Sequence, residues 1–228
     1  HTMADGDRDF SFYRKPGADI MLEEKDVCKE LVEQCRIFHF GSLSLTDEPA
    51  ASATKAAVRY AKEMGKWISF DPNLRKPLWT DLEQARAAIW YGIRECDILK
   101  IADDEIKWLA GTNDYDQGVE RIREHSKAKL INVTLGKKGS ISYYSNEKVF
   151  GQPFLSKDTV DTTGAGDTFC ASVLGFILEN GLDNLKKSQL EQMLLFANAA
   201  ASIVTTRKGA ICSMPKKEEI YSLVFNSI

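Results

Sequence analysis

Nine consecutive residues, Asp161-Thr162-Thr163-Gly164-Ala165-Gly166-Asp167-Thr168-Phe169, join two glycines and a carboxylate to the start of an apolar run. Gly164 and Gly166 lack a Cβ, so a ligand can approach the backbone closely. The run reads as a loop feeding a helix, whose first turn carries unpaired N–H groups and the positive end of the helix dipole. Such a terminus attracts phosphate. Taken alone, Asp167 reads as a helix cap. Beside a phosphate it can instead take a proton from an attacking hydroxyl. The pattern therefore predicts phosphoryl transfer, with the N–H groups of Gly164, Ala165 and Gly166 facing the group in flight and Asp167 as base.

Four further segments carry candidate chemistry. Thr134-Leu135-Gly136-Lys137-Lys138-Gly139 follows a core strand, and its two glycines can present backbone N–H groups to phosphate. The Walker spacing is absent, and Lys137 and Lys138 also fit a solvated turn. Phe196-Ala197-Asn198-Ala199-Ala200-Ala201 lies on an apolar helix whose small residues permit close packing. Asp71-Pro72-Asn73-Leu74-Arg75 ends a strand in a turn that points polar side chains outward. Lys100-Ile101-Ala102-Asp103-Asp104-Glu105 leads from a strand into an acidic helix start, which the dipole alone would favour.

Together these segments resemble the pfkB (ribokinase-like) family of ATP-dependent sugar kinases, and within it the fructokinases. The nine-residue run resembles the family's C-terminal signature, and the match extends from Asp5 to the C-terminus. The resemblance implies phosphorylation of a sugar's primary hydroxyl, with fructose as the expected acceptor and 2-keto-3-deoxygluconate as the alternative. It implies that Thr134, Gly136, Gly139 and Asn198 contact ATP. It implies that Glu105 helps to organise Mg²⁺ through water, in a segment where Ala102 stands in place of the ribokinases' Asn. Arg75, in an Asp-Pro-Asn-x-Arg pattern, is expected near the substrate or the transferred phosphate. Arg14, in Phe12-Tyr13-Arg14 with Pro16 and Ala18-Asp19, is expected at the sugar. Phe12, where keto-acid sugar kinases often have Tyr, favours a neutral sugar. Thr206-Arg207-Lys208-Gly209-Ala210-Ile211-Cys212-Ser213-Met214-Pro215 resembles the family's monovalent-cation segment. By that carry-over Asp161, Thr163, Val204, Arg207, Gly209 and Ser213 surround a potassium ion.

Nothing matches the family's opening strand or its Gly-Gly-x-x-x-Asn sugar-gripping motif. The expected fold is thus one ribokinase-like α/β domain over residues 1–228. Its mostly parallel central sheet is flanked by helices in three layers, with the lid and the first part of the sheet largely missing. Residues 5–19 would be a remnant of a lid strand, and the missing lid leaves edge surface for a homodimer. A catalytically inactive nucleotide-binding fragment stays open as a reading from another class.

The composition bounds these readings. The chain has 228 residues, 43% apolar and 28% charged, with a net charge of −3. That is ordinary for one globular α/β domain and leaves no bulk basic surface for nucleic acid. No apolar run is long enough for a membrane span, and no signal peptide opens the sequence. Cys28, Cys35, Cys96, Cys170 and Cys212 are scattered and odd in number, which predicts reduced, mostly buried thiols and a cytoplasmic location. His39 and His125 read as structural.

Periodicity supplies the elements that must hold these groups. Short apolar strands are expected at Arg36–Phe40, Trp67–Phe70, Asp97–Ile101 and Leu130–Leu135. Ser140–Tyr144 and Lys148–Gln152 read as an antiparallel pair. Helices are expected at Leu22–Gln34, at Thr46–Met64 with Thr46 or Asp47 as cap and Gly65 as stop, and at Thr80–Ile93, Asp103–Gly111 and Asp116–His125. Thr168–Leu178, Leu190–Thr205 and Lys217–Val224 complete the set. Asp5–Arg8 reads as a hairpin turn and Asp9–Arg14 as a strand with one exposed face. Strands alternating with helices argue for βαβ units and a parallel sheet, with ligands at the carboxyl ends of its strands.

Overall fold

The computed structural model describes Arg14 and residues 17–226. The expected turn at Asp5–Arg8 and the strand at Asp9–Arg14 lie outside the described residues, Arg14 excepted. Arg14 belongs to no strand, and Ala18–Met21 form a 3-10 turn. The described residues divide into two compact units, meeting in sequence at Val133 and Thr134.

The first unit is built on β1 (Ile37–Gly41), β2 (Trp67–Asp71), β3 (Ile98–Ala102) and β4 (Leu130–Thr134), in that spatial order. β1 pairs with β2 in parallel, from Ile37 opposite Trp67 to Gly41 opposite Asp71, and β2 pairs with β3 in parallel. Strands covered on both faces read as continuous apolar runs. Accordingly Ile68, Phe70, Leu99, Ile101, Leu130, Ile131 and Val133 are all fully buried. The helices of this unit are α1 (Lys29–Gln34), α2 (Ala50–Glu63), α3 (Leu82–Glu95), α4 (Asp103–Ala110) and α5 (Tyr115–His125). α3 crosses β2 closely, for a Cβ at Gly92 would fall 2.3 Å from the Phe70 ring. His39 meets Ser69 Oγ at 3.0 Å, and the His125 ring stands edge-on to Trp90.

Several helix starts differ from expectation for identifiable reasons. The helix expected from Leu22 is reduced to a 3-10 turn, Glu24–Asp26, and the short α1, because Val27 and Cys28 are extended and only Val32 is buried. α2 begins four residues later than Thr46. Thr46 Oγ1 donates to Leu43 O at 3.0 Å, closing the turn Ser42–Leu45, and Pro49 occupies the N-cap position. Gly65, with φ of 66°, does end that helix. α3 is capped by Asp81, whose Oδ1 accepts from Glu83 N at 3.0 Å, and not by Thr80.

The second unit holds the hairpin β5 (Ser140–Tyr144) and β6 (Glu147–Gly151), antiparallel and joined by Ser145-Asn146. Ser145 has φ of 51°, as tight two-residue turns require. Its helices are α6 (Ala165–Asn180), α7 (Lys187–Thr205) and α8 (Lys217–Phe225). α6 packs chiefly on α7, and Ala199 and Ala200 of α7 bury against Ile220 and Val224 of α8. Among the described residues the six strands are thus mixed: β1, β2 and β3 pair in parallel, and β5 and β6 are antiparallel.

The cysteines depart from expectation. Cys96 and Cys170 are buried, Cys35 is half-buried, and Cys28 and Cys212 are exposed. All five are free. Burial holds the Cys96 thiol well above the usual cysteine range. No helix among the described residues is long and apolar enough to cross a membrane.

Candidate active site

The nine-residue run forms a loop and the first turn of α6. The helix starts at Ala165, three residues earlier than its apolar pattern suggests, because Gly164 at the N-cap takes φ of 79°. A side chain there would be strained, and its Cβ would press on Ala210 at 3.4 Å. Thr168 N–H donates to Gly164 O at 2.8 Å, closing the first helical turn, and Ala165 N–H leans on Thr162 O at 3.3 Å. Asp167 is the third residue of the helix and is exposed. Its carboxylate has no hydrogen-bond or ion-pair partner among the described residues, so it does not serve as the cap.

Asp161 fixes this loop. Its Oδ1 accepts from Thr163 N at 3.0 Å and from Thr163 Oγ1 at 2.6 Å, and its Oδ2 accepts from Gly209 N at 3.0 Å. Val160 N and Asp161 N both donate to Thr205 O at the end of α7. Of the six residues expected around a cation, Asp161, Thr163 and Gly209 are therefore brought together directly. Ser213 is buried nearby in the chain and donates to Lys208 O at 2.6 Å. Val204 O accepts from Arg207 N at 3.3 Å, while the Arg207 side chain turns to Glu219. No cluster of three or more His, Cys, Asp or Glu among the described residues is arranged to hold a metal.

A cleft of about 650 Å³ opens beside this turn, wholly within the second unit. That volume suits a small-molecule ligand. Thr134 lines it from the end of β4, Gly136 and Gly139 from the turn that follows, Ala165 and Gly166 from α6, and Asn198 from α7. Six expected site residues thus share one concavity. Gly139 has φ of 94°, and a Cβ there would fall 2.2 Å from Gly151 O, so only glycine fits. Leu135 N–H donates to Gly139 O at 2.8 Å and closes the turn. Asn198 is held from two sides: its Oδ1 accepts from Ser140 Oγ at 3.0 Å and its Nδ2 donates to Gln152 O at 3.1 Å. Phe154, Leu155 and Phe169 supply apolar wall to the same cleft. Of these only Phe169 belonged to a segment singled out in the sequence.

The remaining expected residues belong to the first unit. Asp71 ends β2, Lys100 lies in β3, and Glu105 lies in the first turn of α4. All three are buried. Lys100 Nζ lies 3.0 Å from one oxygen of Asp71 and 3.2 Å from the other. Glu105 accepts from Leu74 N at 2.7 Å through Oε1 and from Ala102 N at 2.8 Å through Oε2. Burial raises the Glu105 pKa above the ordinary carboxylate value; Lys100 works against this, as do the two N–H donors, and the Asp71 charge adds to it. Arg75 follows Leu74, and its Nη1 donates to Leu74 O at 3.3 Å. Arg14 Nη2 meets Asp19 Oδ2 at 2.6 Å, and Nη1 donates to Thr46 Oγ1 at 3.2 Å. Lys100 had no role in the sequence reading, although a lysine inside Ile-Leu-Lys-Ile-Ala signals a buried partner.

Comparison with known proteins shows similarity to carbohydrate kinases. The profile of the family described as pfkB family carbohydrate kinase matches residues 1–217. A probable fructokinase-4 of Arabidopsis thaliana is 38% identical over 221 residues, covering 97% of this chain and 68% of the relative. Among solved structures, fructokinase from Xylella fastidiosa with bound ATP superposes with a TM-score of 0.87 at 28% identity, covering 99% of this chain and 72% of that one. Fructokinase from Vibrio cholerae O395, bound to fructose, ADP and calcium ion, gives a TM-score of 0.81 at 28% identity, covering 92% and 66%. The chain thus spans about two thirds of the length of the proteins it matches.

Proposed function

Since this chain belongs to the pfkB family of carbohydrate kinases, we propose that it transfers a phosphoryl group from ATP to the primary hydroxyl of fructose. The observation that carries this reading is the first turn of α6. Its Ala165 and Gly166 line the cleft, while Asp167 on the same turn has a free, exposed carboxylate.

In this reading the nucleotide lies in the cleft against Thr134, Gly136, Gly139 and Asn198. The N–H groups at the start of α6 stabilise charge that grows on the phosphoryl oxygens. Asp167 accepts the hydroxyl proton as the sugar oxygen attacks. Little covalent work falls to the protein in such a transfer, so positioning and fixed dipoles supply most of the catalysis. For the acceptor, the residues carried over from the family are Arg14 and Arg75.

Two cations belong to the proposal. Glu105 is the residue assigned to Mg²⁺, reached through water. Its carboxyl oxygens are hard donors of the kind a hydrated divalent cation takes. When bound, Mg²⁺ neutralises charge on the phosphates. A potassium ion would be held by Asp161 and by carbonyls of Thr163, Val204, Arg207, Gly209 and Ser213. One carboxylate among otherwise neutral oxygens suits a monovalent cation.

The test is a coupled assay of ADP release with fructose and with 2-keto-3-deoxygluconate as acceptors, beside a titration of the protein with ADP. Fructose-dependent ADP release is expected. Release with the keto acid alone would move the acceptor; ADP binding without any acceptor-dependent release would leave a nucleotide-binding protein.

A further inference from the structure

Among the described residues that line the cleft of the second unit, Lys137 is the only charged one. It sits in the 3-10 turn Gly136–Lys138, directly after Gly136, whose φ of 56° turns the chain there. Its neighbour Lys138 does not line the cleft. No carboxylate among the described residues pairs with Lys137. The cleft is therefore lined by one exposed cationic residue and by no acidic one.

A second wall adds to the same sign. Ala165 and Gly166 belong to the first turn of α6, where the positive end of the helix dipole lies. The Asp167 carboxylate is not part of the lining. With no acidic lining residue, the cleft is complementary to a polyanion. Lysine is a compact charge on a flexible stem, suited to following phosphate oxygens.

We propose that Lys137 binds the polyphosphate of the nucleotide and contributes affinity for its charge, whereas Lys138 is a solvated turn residue. This rests on the kinase reading of the same cleft. It separates two adjacent lysines that are equivalent in the sequence.

The experiment is calorimetric titration of the wild type, Lys137→Ala, Lys137→Arg and Lys138→Ala with ADP and with adenosine, at low and moderate salt. Removing an unpaired, partly solvated phosphate contact is expected to weaken ADP binding by about tenfold, with adenosine binding unchanged. Lys137→Arg should retain most of the ADP affinity. Lys138→Ala should match the wild type. The salt dependence of ADP binding should be shallower in Lys137→Ala, because one phosphate contact is gone. Equal ADP affinity in wild type and Lys137→Ala would overturn the proposal, as would an equal loss in Lys138→Ala. A parallel loss of adenosine binding would also overturn it, since the side chain would then act on the base, the ribose or the shape of the cleft. If the wild type binds no ADP, the kinase reading falls and this inference with it.

Discussion

Lys100 and Asp71 form an ion pair of 3.0 Å with side chains only 8% and 6% exposed, between the middle of β3 and the carboxyl end of its parallel neighbour β2. Two ions taken out of water need each other: their attraction repays the desolvation only while both are present. Glu105 stands in the same buried cluster, so Lys100 offsets more than one carboxylate.

The Lys100→Met variant should therefore lose about 3–5 kcal/mol of stability, the usual cost of orphaning one member of a buried pair. Denaturant melting measures it. The double variant Lys100→Met/Asp71→Asn should lose less than Lys100→Met alone. If the two losses simply add, the pair is not coupled.

Glu105 gives a pH signature. Its folded-state pKa is raised from 4.5, so the folded protein holds a proton that the unfolded chain has released. Stability from this group is fully present below 4.5 and falls as pH rises through the folded value. Against Glu105→Gln, the wild type should therefore lose relative stability on going from acid toward neutral pH. A difference that stays flat across that window would contradict the burial effect.

Asp167→Asn should lower kcat by about 10²–10⁴-fold, the range usual for a general base. ADP binding should change little, since Asp167 does not line the cleft. A variant with near wild-type kcat would remove Asp167 from the mechanism.

Asp161→Asn should abolish stimulation by potassium. The amide retains an oxygen for Thr163 but turns a donor toward Gly209 N–H, where an acceptor is needed. Rate measured against potassium concentration, with sodium as control, reports it. Unchanged stimulation would take the cation away from this loop.

How much of this was legible in the sequence depended on whether the cause was local. The strands were, because Ile68, Phe70, Leu99 and Ile101 are buried on both faces and read as apolar runs. The tight turn that opens α6 was, because Gly164, Gly166 and Asp167 lie within four residues. The start of α2 was not: Thr46 looked like a free cap, but its hydroxyl closes the preceding turn. Gly166 read as loop, but the helix already runs through it once Gly164 has made the left-handed entry. The cleft wall at Phe154 and Leu155 also escaped notice, as did the grip of Ser140 and Gln152 on Asn198. Those partners are 58 and 46 residues apart in the chain, and only folding brings them together.

The Glu105 carboxylate accepts one N–H from the segment after β2 and one from the end of β3. Neither segment can open alone without leaving a buried carboxyl group short of a donor. The two strand ends of the first unit are thus tied into one cooperative unit of local unfolding, opening and closing together. Arg75, one residue beyond Leu74, gains its rigidity from an acid thirty residues away that it does not itself have to touch.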